Sequence, residues 1–228
     1  MPGINSHSPE FMHSASLFPS QVIMVSATAE MWESPVLEAE EQLIAQAVKK
    51  RRREFRAGRH CAHTALQRLG LPRQAILRDA NRAPLWPHGY LGSISHCRDL
   101  CIAACAKQYP IISLGLDVEP LKPLKPGVEQ YIQTTAETAY LQSIWPRLPE
   151  RLVFSAKESL YKCFYPLLKT FFGFHSVEIV IDHEKQHFDF KPVQHAKIRF
   201  PENMVFYGHY VITDTHLVTS CYLLPAPA

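Results

Sequence analysis

The chain has 228 residues, 46% hydrophobic and 20% charged, with a formal net charge of +3. That length can bury a core in one large domain or two smaller lobes. No run approaches the ~18 apolar residues of a membrane helix, and so small a net charge does not by itself argue for nucleic acid. Six cysteines without a Cys-x-x-Cys pair do not make the disulfide framework of a short secreted domain. This usage points to the cytoplasm.

The opening MPGINSHSPEF lacks the basic patch and apolar run of a secretory signal. We read residues 1–11 as a fusion scar and Met12 as the natural start. After Ser34-Pro35 an apolar stripe of Leu37, Leu43, Ile44, Ala47 and Val48 predicts a helix. A second helix is predicted from about Arg52 to Leu69, with Phe55, Ala62, Ala65, Leu66 and Leu69 inward and Gly70 then Pro72 as the stop. Seven basic residues fall between Lys49 and Arg59, which concentrates positive potential locally.

The segment DANRAPLWPHGYLG, residues 79–92, is a turn-rich connection. Strands are expected at about 92–95, at 100–106 and over IISLGLDVEP. Cys97, Cys101 and Cys105 recur every fourth residue, as metal ligands on a helix would. Their apolar setting fits a buried strand better, with Cys101 and Cys105 as small hydrophobes. LKPLKPG, residues 121–127, is the expected boundary between an N-terminal lobe, 12–120, and a C-terminal lobe, 121–228. Helices near 134–145 and 150–165 precede strand-like alternation in VEIVI, HFDF, AKIRF, YGHYVI and HLVTSCYL. The pattern is α+β, with helices packed on antiparallel sheets.

Four constellations carry chemistry. Asp117 and Glu119 in GLDVEP lie two apart on a strand and share a face, with Leu116 and Val118 behind them. Paired carboxylates on a rigid face suit magnesium, though Asp-x-Glu alone equally describes a solvated acidic edge. In FSAKESLYK, Glu158 and Lys162 are helical neighbours and Lys157 lies on an adjacent face. They read either as a third metal carboxylate beside a phosphate-binding lysine or as a surface ion pair. GSISHC offers Ser95 and His96 to an anion but has no nucleophile elbow. Arg51, Arg52 and Arg59 of KKRRREFRAGR can grip phosphate in bidentate fashion, or form a nucleic-acid patch or a solvated face.

Their order resembles the surfactin-synthetase-type 4′-phosphopantetheinyl transferases, in the branch of the enterobactin-synthetase activating enzyme and its mycobacterial relatives. The matching residues are Glu54 to Arg59, Trp86-Pro87, Gly92 to Cys97, Gly115 to Glu119 and Phe154 to Lys162, with FYPLLKTFFGF after them. They span roughly residues 45–182. The resemblance implies two similar lobes related by a pseudo-twofold axis, with the active site between them. It implies Mg2+ held by Asp117, Glu119 and Glu158 against the pyrophosphate of coenzyme A. Lys162, with Lys157 close by, would contact that pyrophosphate. Arg51, Arg59, Ser95 and His96 would bind coenzyme A phosphates, the histidine reaching the 3′-phosphate, with Arg82 near the adenine.

The implied reaction is attack of a carrier-protein serine on the β-phosphorus with departure of 3′,5′-ADP. Asp117, Glu158 and Lys162 are the catalytic set, and Glu158 or a magnesium-bound water beside it is the base. Expected partners are apo acyl or peptidyl carrier proteins, met by Phe171 to Phe174 and by Lys122 and Lys125; the phenylalanines equally suit a core. No nucleic-acid or membrane partner is expected, and a monomer is. The rival readings are a magnesium-dependent nuclease and a basic nucleic-acid-binding module.

Overall fold

The computed structural model describes residues 17–144, 147–193 and 198–227. The expected scar and the start at Met12 lie outside the described residues, as do residue 145 and Ala196-Lys197 of AKIRF.

A short strand that the sequence reading did not contain, β1 (Ile23–Ser26), is followed by α1 (Ala29–Glu33), α2 (Glu38–Gln42) and α3 (Lys49–Arg68). The helix expected after Pro35 stops after α2. Beyond Gln42 the backbone tightens into i to i+3 bonds, among them Leu43 N–H to Glu40 O and Ala47 N–H to Ile44 O. Arg52 donates to the Ala45 and Ala47 carbonyls, satisfying groups that a continuing helix would have used itself. Val48 is left exposed. The long helix α3 starts earlier than expected and takes in the whole basic run. Phe55, Ala62, Ala65 and Leu66 are buried along it, and Gly70, at φ +90°, ends it.

A two-residue ribbon, β2 (Leu77–Arg78) and β3 (Pro84–Leu85), sits in the turn-rich connection. Then come β4 (Tyr90–His96), β5 (Cys101–Lys107) and β6 (Ser113–Pro120). After the proline-rich connector follow α4 (Glu129–Ile132), α5 (Thr135–Ile144) and α6 (Leu152–Leu168). The chain closes with β7 (Val177–Asp182), β8 (His187–Pro192), β9 (Met204–Ile212) and β10 (His216–Pro225). Residues 198–200 of AKIRF form no strand; Ile198 and Phe200 instead pack against the C-terminal core.

Two antiparallel sheets result, ordered β1-β5-β4 and β6-β10-β9-β8-β7. Helix α3 covers one face of the smaller sheet, where Cys61, Ala62 and Ala65 meet Ala103 and Cys105. Helix α6 covers the larger sheet, with Leu152, Ala156 and Leu160 against Leu217 and Cys221. Between the sheets lies a third core of Leu91, Ile102 and Ala104 against Leu114, Leu116, Val118 and Val218. The molecule is therefore layered helix, sheet, sheet, helix. Because β5 is buried on both faces, Cys101 and Cys105 are packing residues, their thiols pushed up by burial and by neighbouring thiols.

Strand β6 pairs along its length with β10, Ser113 opposite Leu223 and Pro120 opposite His216. Its other neighbour is β4, and there side chains replace a backbone ladder. Ser93 Oγ accepts the Leu116 N–H at 3.1 Å and Ser95 Oγ accepts the Val118 N–H at 3.2 Å. This seam between the sheets positions the site.

Candidate active site

Alternation along β6 sends Leu116 and Val118 into the core between the sheets and turns Ser113, Gly115 and Asp117 toward α6. The helix comes very close at Gly115, where an added Cβ would overlap the Ser159 carbonyl and stand 2.8 Å from the Cys163 nitrogen. Glycine here lets α6 approach β6, so that Ser155, Glu158 and Lys162, on one stripe of the helix, face the strand's carboxylates.

Asp117 is 4% exposed and held on three sides. Ser95 Oγ donates to Oδ1 at 2.8 Å, Ser155 Oγ donates to Oδ2 at 2.8 Å, and Lys162 Nζ lies 2.7 Å from Oδ1. Lys162 also donates to Ser95 Oγ and the Leu116 carbonyl, both at 3.1 Å. Glu119 is paired with Arg151 at the N-terminal end of α6. Burial raises the Glu119 carboxyl above its ordinary value and the Asp117 charge adds to this, against the pull of Arg151. Glu158 is half-buried. Burial pushes it up as well, with Lys162 opposing and Asp117 reinforcing, and among the described residues no hydrogen bond holds its carboxylate. The oxygens of the three acids are not gathered within 4.8 Å of one another. Lys162 and Arg151 instead draw two of them onto the protein's own cations.

On the other side of β4, His96 enters a cavity of about 150 Å3 lined by Arg51, Glu54, Arg59, Arg78 and Arg82. Arg51 Nη1 donates to His96 Nε2 at 3.1 Å. Burial lowers the imidazole below its ordinary value, Glu54 opposing and Arg51 assisting, so the ring is an acceptor at neutral pH. Arg59 is 5% exposed and donates to the Ile76 carbonyl at 3.0 Å, its guanidinium over the Phe55 ring at 4.5 Å. Burial lowers it to about 10, leaving it charged. Asp79 accepts the Asn81 and Ala83 N–H groups, both at 2.9 Å, and so shapes the turn that holds Arg82 at φ +69°. Tyr165 of α6 fastens that turn to the helix of the larger sheet, donating to Asp79 at 3.0 Å and accepting from Asn81 at 2.8 Å.

The structure thus brings Arg51, Arg59, Arg82 and His96 to one basic cavity, and Asp117, Glu119, Glu158, Lys162 and Ser95 to the adjoining seam. Ser95 turns away from the basic cavity, contrary to its expected pairing with His96 on phosphate, because neighbours on a strand face opposite ways. Lys157 is not brought to either place. It is 2% exposed, and its ammonium donates to Glu137 at 2.7 Å and to the Ile132 and Phe174 carbonyls at 2.8 Å. Those contacts commit it to the C-terminal core. Sequence reasoning missed Arg78, Ser155 and Arg151. Ser155 lay inside FSAKES without a role; Arg78 and Arg151 stand in no motif.

A second hollow, about 210 Å3, lies beside Glu158 and is lined by Lys157, Tyr161, Phe171, Phe172, Phe174 and Val177. Phe172 is buried and Phe171 is 76% exposed, so the phenylalanine loop is part core and part surface.

Residues 39–106 match the 4′-phosphopantetheinyl transferase N-terminal domain, and residues 113–213 match the 4′-phosphopantetheinyl transferase superfamily. The chain belongs to that superfamily. It is similar to the 4′-phosphopantetheinyl transferase Npt of Nocardia iowensis, 35% identical over 192 residues, covering 80% of this chain and 86% of Npt. It is also similar to the transferase PptT of Mycobacterium tuberculosis, 37% identical over 174 residues, 74% and 77% of the two chains. Enterobactin synthase component D of Salmonella typhimurium is 37% identical over 137 residues, 58% and 56% of the two chains. The protein is therefore a phosphopantetheinyl transferase, and the α+β expectation holds. Among the described residues no helix is long and apolar enough to cross a membrane.

Proposed function

We propose that this transferase moves 4′-phosphopantetheine from coenzyme A to a serine of an acyl or peptidyl carrier protein, with magnesium, in the cytoplasm. The observation that carries the details is the juxtaposition along β4 of a cavity holding four arginines and His96 with a seam of three carboxylates and Lys162. A ligand with separate anionic ends suits that division. The 3′-phosphate fits the arginine cavity, the pyrophosphate fits Lys162, and the pantetheine arm fits the apolar hollow beside Glu158.

Asp117, Glu119 and Glu158 are the hard oxygen donors that magnesium takes, and burial pushes Glu119 and Glu158 toward protonation against the pull of Arg151 and Lys162. They fit the ion and would hold it. When bound, magnesium supplies neutralisation of pyrophosphate charge. The chain does the rest. Lys162 orients the pyrophosphate and stabilises charge on the departing oxygen. Ser95 and Ser155 fix Asp117, and Arg51, Arg78, Arg82 and His96 hold the nucleotide in register. Glu158, unencumbered by hydrogen bonds and made more basic by burial, receives the serine proton. The serine Oγ–phosphorus bond forms as the bond to 3′,5′-ADP breaks.

The basic run gives little support to a nucleic-acid module, because most of it is engaged internally. Arg52 caps two carbonyls, Arg53 pairs with Glu33, Arg56 pairs with Glu41, and Arg59 is buried. Lys49 and Lys50 remain exposed, and Arg51 bonds to His96 in the cavity. Against a nuclease, Glu158 and Lys162 lie on a helix rather than on the strand that such sites commonly use.

Binding of coenzyme A and of dephospho-coenzyme A, which lacks the 3′-phosphate, tests the division. Charge-assisted hydrogen bonds are worth about 1.5–3 kcal/mol, so His96→Ala and Arg78→Ala should weaken coenzyme A roughly ten- to hundred-fold. Both should lose little further affinity for the dephospho form. An equal loss for both ligands, or tighter binding of DNA than of coenzyme A at physiological salt, would contradict the reading.

A further inference from the structure

At the far end of the β4–β6 seam, two turns from different sheets meet. Cys97 and Asp99 belong to the β4–β5 turn, closed by the Cys97 N–H to Leu100 O bond at 2.8 Å. His216 opens β10 after a turn in which Thr213 Oγ1 accepts the His216 N–H at 3.0 Å. The Cys97 sulfur, an Asp99 oxygen and a His216 ring nitrogen all lie within 4.8 Å of one another. Cys97 Sγ is 3.5 Å and His216 Nε2 3.2 Å from Asp99 Oδ1. Among the described residues this is the one such group of histidine, cysteine and acidic ligands.

We propose that Cys97, Asp99 and His216 form a second metal site, selective for a zinc-class cation and separate from the magnesium carboxylates. Bonds of about 2.0–2.3 Å in a tetrahedral zinc site put its ligands about 3–4 Å apart, the separations that Asp99 already keeps from Cys97 and His216. A thiolate and an imidazole select zinc-like ions over magnesium, which takes oxygen. His216 also has the outer partner that metal-bound histidines have. Its Nδ1 is 2.8 Å from Thr215 Oγ1, which directs Nε2 at the site. With three protein ligands, the fourth position is open to water or another donor.

Binding releases the Cys97 thiol proton to solvent as the metal–sulfur bond forms. The neutral His216 ring keeps its proton on Nδ1, which donates a hydrogen bond to the Thr215 hydroxyl oxygen and leaves the Nε2 lone pair for the metal. The ion then pins the smaller sheet to the larger one, at the residue next to His96. This inference does not rest on the transfer reaction.

The test is titration of the metal-free full-length protein with Co2+ and with Zn2+ in excess magnesium, which occupies the carboxylate site. One equivalent of Co2+ should give a thiolate-to-cobalt charge-transfer band in the near ultraviolet. Cys97 is the one cysteine that is not buried, so Cys97→Ser should abolish the band while Asp117→Ala keeps it. Zn2+ should raise Tm in wild type, and Thr215→Val should weaken Zn2+ at least about tenfold, as loss of an outer-shell partner does. The absence of a charge-transfer band in wild type, or a band surviving in Cys97→Ser, overturns the proposal. The wild-type spectrum decides even if a variant fails to fold.

Discussion

Glu158 sits half-buried on α6, repelled by Asp117 and attracted by Lys162, with no hydrogen bond to hold its ionised form. A carboxyl raised in this way favours folding when protonated and opposes it when ionised. Its folded pKa lies above its unfolded one, so its penalty is absent at low pH and appears as pH rises through the folded value. In chelator, Glu158→Gln should therefore raise stability at neutral pH while abolishing transfer. About 1 kcal/mol is ordinary for removing a strain that function imposes, or roughly 2–4 °C in Tm for a chain of this size. The gain should vanish toward the ordinary glutamate range in acid, and magnesium should narrow it. Thermal melts across pH, with and without magnesium, check this; a variant less stable than wild type at neutral pH contradicts it. At this scale the sequence was informative where side-chain type and strand or helix spacing sufficed, as for Asp117, Glu158 and Lys162. It misled at Lys157, since both helix faces offered a plausible partner and only the packing of α4 and α5 placed Glu137 beside it.

Elements meet most closely where α6 crosses β6. Gly115 is the residue that allows this, because a methyl group there would press on the Ser159 carbonyl and the Cys163 nitrogen. Gly115→Ala should push α6 outward, costing about 1–3 kcal/mol by overpacking. Displacing Glu158 and Lys162 from Asp117 should also lower kcat more than it raises KM for coenzyme A, since the arginine cavity belongs to α3 and the β2–β3 ribbon. Kinetics beside a urea melt read both effects; an unchanged kcat would detach the α6–β6 spacing from catalysis. Elements with strong periodicity, α3, α6 and β4 to β6, were legible in the chain. The end of the helix after Pro35 was not, because Arg52 of the next helix caps the chain beyond it, and β1 carried too short a pattern to stand out. Arg78 escaped notice for a related reason: its two-residue strand gains meaning only when folded against α3.

Across the whole molecule, the site exists because two sheets are joined by serine side chains rather than by a continuous ladder. Ser93 and Ser95 stitch β4 to β6, and Asn81 and Asp79 bind Tyr165. The join leaves the basic cavity on one side and the carboxylates on the other, the division on which the proposed transfer rests. On the proposed reading this join carries the reaction. Its most direct test is intact-mass spectrometry of an apo-carrier protein incubated with the enzyme, coenzyme A and magnesium. One phosphopantetheine should be added per carrier, with an equal amount of 3′,5′-ADP released. The product should be absent with chelator, with Asp117→Ala, or when the carrier serine is alanine. Undiminished modification in chelator, or by Asp117→Ala, would contradict it.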